Sequence, residues 1–377
     1  AFAVLVGLAL VNLIRPGEAT APELLEANRI RYELWRDANG IEVLDDLQYA
    51  QDPDRAELTA QIAAETSAAN PWVEDKLSKA STTKKSGPLQ PLVDVVPVNI
   101  FASLTSMSML QIIFFAVFFG MVLVGLPEEK KAPLIRAVDS LNEVFVRMVW
   151  VVMKAMPVFV FALMAGQIVK AAGTDPDLFQ QLLSFLLRYS LVVVIGLAIM
   201  AFLVYPALVA LIVKRVSFRE FLKGMRDAQI TAFSTSSSVA TLPVTMDCVH
   251  KNLGVSTRTY SFVLPIGATV NMDGTSLYQA VAVVALAQFH LVDLTLAQQA
   301  VIVLTATLAS IGAAAVPSAG LVLMIIVLES VGLNPAWIAL IFPVDRILDM
   351  CRTVVNVTGD GAVSTIIAHT EGEEQAA

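Results

Sequence analysis

The chain has 377 residues, 56% of them hydrophobic and only 15% charged, with a net charge of −8 and a mean hydropathy of +0.70. Those values exclude the soluble globular classes and leave an all-α polytopic membrane protein. The acidic balance gives no footing for nucleic acid, and two cysteines (Cys248, Cys351) with three scattered histidines (His250, His290, His369) make neither a disulfide framework nor a zinc cluster.

Residues 1–17 are apolar up to the first charge, Arg15. They lack the basic leader and small-residue cleavage site of a signal peptide, so they read as the second half of a transmembrane helix whose start lies outside this sequence. Residues 18–92 change character. Positions 18–90 alone hold fourteen acidic and eight basic residues, with helix-like pieces near Glu23–Asp37 and Pro53–Ser67. This reads as an aqueous insert of marginal stability.

Uncharged runs follow at Val95–Pro127, Tyr189–Val213 and Leu294–Leu328, each reaching the ~20 residues that cross the hydrocarbon. They suggest a broken span within 93–141, a span over 142–172, and a span with its link over 173–225. Lys214, Arg215, Arg219, Lys223 and Arg226 cluster in one connection, and Lys130, Lys131 and Arg136 in another. Both connections belong on the cytoplasmic side. The acidic link Gly173–Asp177 and the insert 18–92 belong outside, and the C-terminus is cytoplasmic.

Residues 226–255 contain Ser234-Thr-Ser-Ser-Ser238, five consecutive hydroxyl residues, with Pro243 beyond. Ser and Thr compete for backbone hydrogen bonds, so the pattern suits a tight hairpin tip buried in protein. Residues 293–332 repeat the device around Ser310-Ile-Gly-Ala-Ala-Ala-Val-Pro317 and Gly320. A Pro-kinked helix with small packing residues is the alternative reading of each. Each tip is followed by a polar interruption. In 256–292 it is Asn271-Met-Asp-Gly-Thr275, and in 333–377 it is Asn356-Val-Thr-Gly-Asp360. Paired interrupted segments point to an inverted repeat with a midplane site, where free carbonyls beside Asp273 and Asp360 suit a small hard cation.

The last segment carries the most chemistry. On a helix Asp349, Arg352, Thr353, Asn356 and Asp360 fall on one face. A stripe so polar inside a bilayer normally faces a bundle interior or aqueous cavity and marks an ion or substrate path. A structural Asp349–Arg352 ion pair is the blander reading, but it explains neither Asn356 nor Asp360. No nucleophile–base pair suggests an enzyme.

Asn271-Met-Asp-Gly-Thr275, the Ser234–Pro243 and Ser310–Gly320 tips, and Arg352-Thr-Val-Val-Asn-Val-Thr-Gly-Asp360 resemble the glutamate transporter (dicarboxylate/amino acid:cation symporter) family over nearly the whole chain except the insert. The resemblance implies a glutamate-transporter-like fold with eight spans, inverted repeats and two re-entrant helical hairpins. It also implies a homotrimer in the plasma (inner) membrane, in which a transport domain slides against a scaffold. On that template the chain is N-terminally incomplete, with Ala1 late in the third span and 93–172 in the scaffold. The implied substrate site is Ser236, Ser237, Ser238, Thr275, Val316, Pro317, Ser318, Ala319, Gly320, Asp349, Arg352, Thr353 and Asn356. The implied sodium sites comprise Gly267, Asn271, Asn356 and Asp360; Thr269, Ser310, Ile311 and Ala313; and Asn271 with Asp273 plus third-span residues upstream of Ala1.

Three departures from the family pattern stand out. Family members often carry arginine in the serine tip or just after the position of Asp349, where this chain has Ser236 and Met350, with Arg346 a turn earlier. Gln279 stands where potassium-countertransporting relatives carry glutamate. Val239 replaces a small or hydroxyl residue.

The expectation is a sodium-coupled importer of an acidic amino acid, aspartate or glutamate, with sodium as coupling ion and no other cofactor. Arg352 would clamp the side-chain carboxylate and Asp349 would receive the ammonium. The serine tip and Asn356 would hold the main-chain carboxylate. A C4-dicarboxylate or proton-coupled symporter is the alternative on the same fold, and a ligand-gated anion channel or a transport-dead receptor comes from another class. A carboxylate at 349 argues against a substrate without an amine, because it would stay unpaired in a dry site.

Overall fold

The computed structural model describes residues 1–41, 44–45, 47–65, 96–97, 99–105, 109–141, 144, 147–148, 158, 162, 166, 176–311 and 319–372. Among them the chain is helical, without strands. Helix α1, Phe2–Ile14, stops where Arg15 takes a left-handed conformation (φ 48°) and returns its N–H to Val11; Pro16 and Gly17 follow, and neither favours continuation.

The insert is better anchored than its composition suggests. Helix α2, Pro22–Ala38, starts with Pro at its first position, where a missing N–H costs nothing; α3 spans Ala56–Glu65. In α2 the fully buried Arg29 donates to Glu33 at 2.6 Å, to both oxygens of Asp45, and to the carbonyls of Leu291 and Leu47. Glu33 accepts in turn from the backbone of Tyr49 and Ala50. This network ties α2 to Asp45, Leu47, Tyr49 and Ala50 and, through the Leu291 carbonyl, to a distant part of the chain, so charges that would otherwise require water are paired within the insert.

Helices α4, Ile100–Thr105, and α5, Met109–Val124, flank residues 106–108. Most of the expected 142–172 span lies outside the described residues. Helix α6, Pro176–Ile199, passes through a single π turn, Met200–Val204, into α7, Tyr205–Val213. Within that run Phe179–Val213, 35 residues, is long and apolar enough to cross a membrane. A capping box of Ser217 and Glu220 opens α8, Phe218–Gly224.

Helices α9, Arg226–Thr235, and α10, Ser238–Leu253, form a helical hairpin. Its turn is two residues, shorter than the five-residue hydroxyl run. Ser236 is left-handed (φ 51°), and extended Ser237 caps α10 by accepting from Ala240 N at 3.2 Å. Helix α11, Thr257–Val270, breaks at Asn271 and Met272, and α12, Asp273–Phe289, resumes. Every residue of α12 from Gly274 to Phe289 is buried, which makes it the centre of the molecule, packed by α1, α6 and the final helix. Helices α13, Leu296–Ile311, and α14, Ala319–Ser330, precede α15, Ile338–Thr370. The predicted interruption at Asn356–Asp360 is absent, because α15 runs unbroken through it. Asn356, Val357, Thr358, Gly359 and Asp360 are all weaker helix formers than alanine, and burial of the whole turn keeps water from competing for their backbone.

Candidate functional site

The stripe on α15 is where the sequence pattern places it, on one buried face: Asp349, Arg352, Thr353, Asn356 and Asp360 are each less than one-tenth exposed. Arg352, 1% exposed, is held by two carboxylates. Its Nη2 donates to Asp349 Oδ1 at 2.5 Å and to Asp345 Oδ1 at 3.2 Å. Its guanidinium lies 4.0 Å from the centroid of the Tyr278 ring, whose hydroxyl donates to the same Asp345 oxygen at 2.9 Å. Arg346 stands 3.7 Å from Asp349 Oδ2. The Asp349–Arg352 pair considered from sequence is therefore real, yet Arg352 Nε and Nη1 have no hydrogen-bond partner among the described residues. A guanidinium fixed through one nitrogen keeps donors free of partners among the described residues.

Asp345 and Tyr278 were missed from the sequence. Asp345 lies seven residues before Arg352, so its place on the stripe was readable from helical spacing. Tyr278 lies on α12, and only packing brings it over the guanidinium.

Around this pair stand the other expected substrate residues. Gly320 opens the first turn of α14, where a Cβ would lie 2.7 Å from Thr275 Cγ2 and 3.2 Å from Arg352 Nη1; any side chain there would crowd the guanidinium. Gln279 Nε2 donates to the Gly320 carbonyl at 2.9 Å, while its buried Oε1 has no partner among the described residues. Asn356 Oδ1 accepts from Gly274 N at 2.8 Å, satisfying an orphan donor at the start of α12. Its amide nitrogen reaches Met272 Sδ at 3.3 Å and Thr275 Oγ1 at 3.5 Å. Thr353 Oγ1 is tied to the Asp349 carbonyl at 2.9 Å. In the serine tip Ser236 and Ser238 are buried, and Ser236 Oγ has no hydrogen-bond partner among the described residues. Val316, Pro317 and Ser318 lie outside the described residues, and Ala319 is the first residue of α14.

The cation-site expectations separate into three places. Asp360 Oδ1 accepts from Asn271 Nδ2 at 2.9 Å, and the same amide points at the Asn356 carbonyl at 3.4 Å. A Cβ on Gly267 would fall 2.6 Å from Asp360 Oδ1, so these four residues converge from α11, the break and α15. A cavity of about 240 Å³ adjoins Asn271 and Asp360 and is otherwise walled by groups such as Phe262, Ile266 and Val363. Asp273 accepts from Tyr205 Oη at 2.6 Å. Thr269 and Ser310 are buried with their hydroxyls turned to their own helices, at Ile266 and Thr307. Ile311 ends α13, and Ala313 lies outside the described residues.

Comparison with known proteins matches the chain to a known family. The model of the sodium:dicarboxylate symporter family matches residues 1–370. The chain is 42% identical over 297 residues to excitatory amino acid transporter 4 of Mus musculus, covering 78% of this chain and 51% of that protein. It is 42% identical over 281 residues to excitatory amino acid transporter 1 of Homo sapiens, covering 74% and 50%. With excitatory amino acid transporter 3 of Mus musculus it shares 43% identity over 260 residues, covering 69% and 48%. The chain spans about half the length of these curated relatives. A family match over 1–370 together with the buried α15 stripe places the chain in the sodium:dicarboxylate symporter family.

Proposed function

We propose that this chain forms the core of a sodium-coupled secondary-active symporter that imports an acidic amino acid, aspartate or glutamate. The observation that carries the reading is the Arg352 guanidinium, fully buried, pinned by Asp345 and Asp349 through one nitrogen, with Nε and Nη1 unpartnered among the described residues. A buried cation with spare donors suits a substrate carboxylate and offers little to a neutral ligand. Asp349, beside it on the same helix face, receives the substrate ammonium, and Arg346 shares its charge. The serine tip at 236–238, Thr275, Thr353, Asn356 and the tip at 316–320 complete the pocket.

Sodium ions travel with the substrate. Asp360 and Asn271 with the carbonyls of Gly267 and Asn356 make one site, Asn271 with Asp273 a second, and the carbonyls of Thr269, Ser310, Ile311 and Ala313 a third. The chemistry fits, since Asp273 and Asp360 receive neutral donors there, and Asp360, a buried carboxylate, calls for a cation. The names of the similar transporters support the acidic amino acid. In this reading 226–255 and 293–332 are re-entrant hairpins of an inverted repeat, and the transport domain slides against a scaffold within a homotrimer. The protein sits in the plasma membrane with the insert 18–92 outside and the C-terminus inside.

Uptake of labelled aspartate, glutamate and succinate into proteoliposomes, with and without an inward sodium gradient, tests the reading. Sodium-driven accumulation of an amino acid but not succinate supports it. Preference for succinate assigns a C4-dicarboxylate carrier, and uptake driven by pH alone assigns the proton-coupled branch.

A further inference from the structure

Tyr205 opens α7 directly after the π turn and was not among the residues that sequence pattern marked. Its phenol O–H donates to Asp273 Oδ2 at 2.6 Å, bridging 68 residues of chain. The same hydroxyl abuts α15. A Cβ at Gly359 would stand 2.9 Å from Tyr205 Oη and 2.6 Å from Asn271 Nδ2, so the phenol, the Asn271 amide and the bare Gly359 backbone meet at one point. Asn271 continues the chain of contacts to Asp360 at 2.9 Å. Asp273 and Asp360 thus share one cluster, and the side chains donating to them there are a phenol and an amide. Neutral donors orient a carboxylate without cancelling its charge, so the cluster is built for a cation.

The π turn explains how Tyr205 arrives. Its N–H bonds to Met200 O, five residues back. One extra residue in a turn rotates the rest of the helix by about 100°, enough to decide which side chain of α7 faces α12 and α15. Such bulges recur at functional sites, and this one immediately precedes the residue that touches Asp273.

We propose that Tyr205 is a positioning residue for the cation site at Asn271 and Asp273. Its O–H pins one carboxylate oxygen of Asp273, leaves the other for the ion, and ties the site to the membrane-crossing helix 179–213. This assignment rests on the sodium-symport reading above.

The test is sodium titration of the purified full-chain transporter without amino acid, at constant ionic strength with choline as replacement, following the melting temperature. Stabilisation grows as the logarithm of one plus sodium over its dissociation constant, so a weaker site slides the curve to higher concentration. Tyr205→Phe keeps the ring and removes the hydroxyl. Losing one hydrogen bond to a charged group should slide the curve on the order of ten- to a hundred-fold, with the sodium-free melting temperature little changed. Asp273→Asn should also weaken sodium, and adding Tyr205→Phe to it should move the curve no further. A purely structural role would lower the sodium-free melting temperature and leave the curve's position alone, which overturns the assignment. So would tighter sodium binding in Tyr205→Phe, or a full additional shift in the double variant. If Tyr205→Phe does not fold, Tyr205→Leu, which likewise removes the donor and touches no other cation-site residue, must produce the same slide. A parent protein indifferent to sodium overturns both readings. A sodium-stabilised parent whose curve ignores residue 205 overturns this one alone.

Discussion

Replacing Arg352 with cysteine isolates the cation of the proposed substrate site. The side chain is 1% exposed, lies 2.5 Å from Asp349 and 3.2 Å from Asp345, and stacks on Tyr278 at 4.0 Å. Cysteine removes the guanidinium and leaves two carboxylates facing each other, with Arg346 at 3.7 Å from Asp349 as the nearest remaining counter-charge. Breaking a buried ion pair by deleting one partner costs about 3–5 kcal/mol. An acidic substrate then meets repulsion where it met attraction, so its affinity should fall on the order of a hundred- to several-thousand-fold. A small neutral amino acid needs no cation for its side chain, keeps its ammonium contact with Asp349, and should retain measurable affinity. The rise in melting temperature of parent and variant with aspartate, glutamate, alanine and serine, each titrated at fixed sodium, measures the switch. Aspartate binding within about ten-fold of the parent would refute the argument. Arg346 would then be the cation to examine.

Asp349→Asn should weaken amino acids far more than succinate in competition against one labelled substrate, since only an amino acid brings an ammonium to that carboxylate; equal losses would remove the preference for amino acids. Asp345→Asn keeps Arg352 but loosens its orientation, and should weaken acidic substrates about ten-fold while sodium binding without substrate stays unchanged; a shifted sodium titration would reassign Asp345 to the cation sites. Asp360→Asn should flatten the rise of apparent substrate affinity with sodium, because coupling between ion and substrate is reciprocal, and Gln279 in place of a titratable side chain predicts no requirement for internal potassium; titrations varying sodium, lithium, potassium and pH separately decide both. In the insert, Arg29→Met strands Glu33 and Asp45, which should open α2 to limited proteolysis at sodium and substrate concentrations that protect the parent; unchanged protection would mean the network at Arg29 does not hold the insert.

Much of the site was legible because helices repeat. The intervals between Asp349, Arg352, Thr353, Asn356 and Asp360 can mean one face only if the segment is helical, and a polar face in an apolar segment has to be buried with partners. The break at Asn271 and Met272 was legible for the related reason that Asn-Met-Asp-Gly-Thr is poor helix sequence inside an apolar run. The same logic misjudged Asn356–Asp360. Its residues look equally poor, yet α15 passes straight through them, because neighbouring helices enclose every residue of that turn and Asn271 and Tyr205 fill the space beside Gly359. The insert shows a similar limit, since charge density suggested solvent where Arg29 in fact pairs with both Glu33 and Asp45.

By itself the sequence determined the membrane class, the helical periodicity, the polar stripe on α15 and the motifs at Asn271 and Arg352, because each depends on residues within a few turns of one another. Tertiary structure alone decided which groups meet across helices. Tyr278 covers Arg352 from α12, Asn271 reaches Asp360 from the break before α12, and Tyr205 holds Asp273 from beyond a π turn. A local pattern sets the direction in which a side chain leaves its own helix, whereas the partner it finds depends on how separate helices pack, and packing is a property of the whole core.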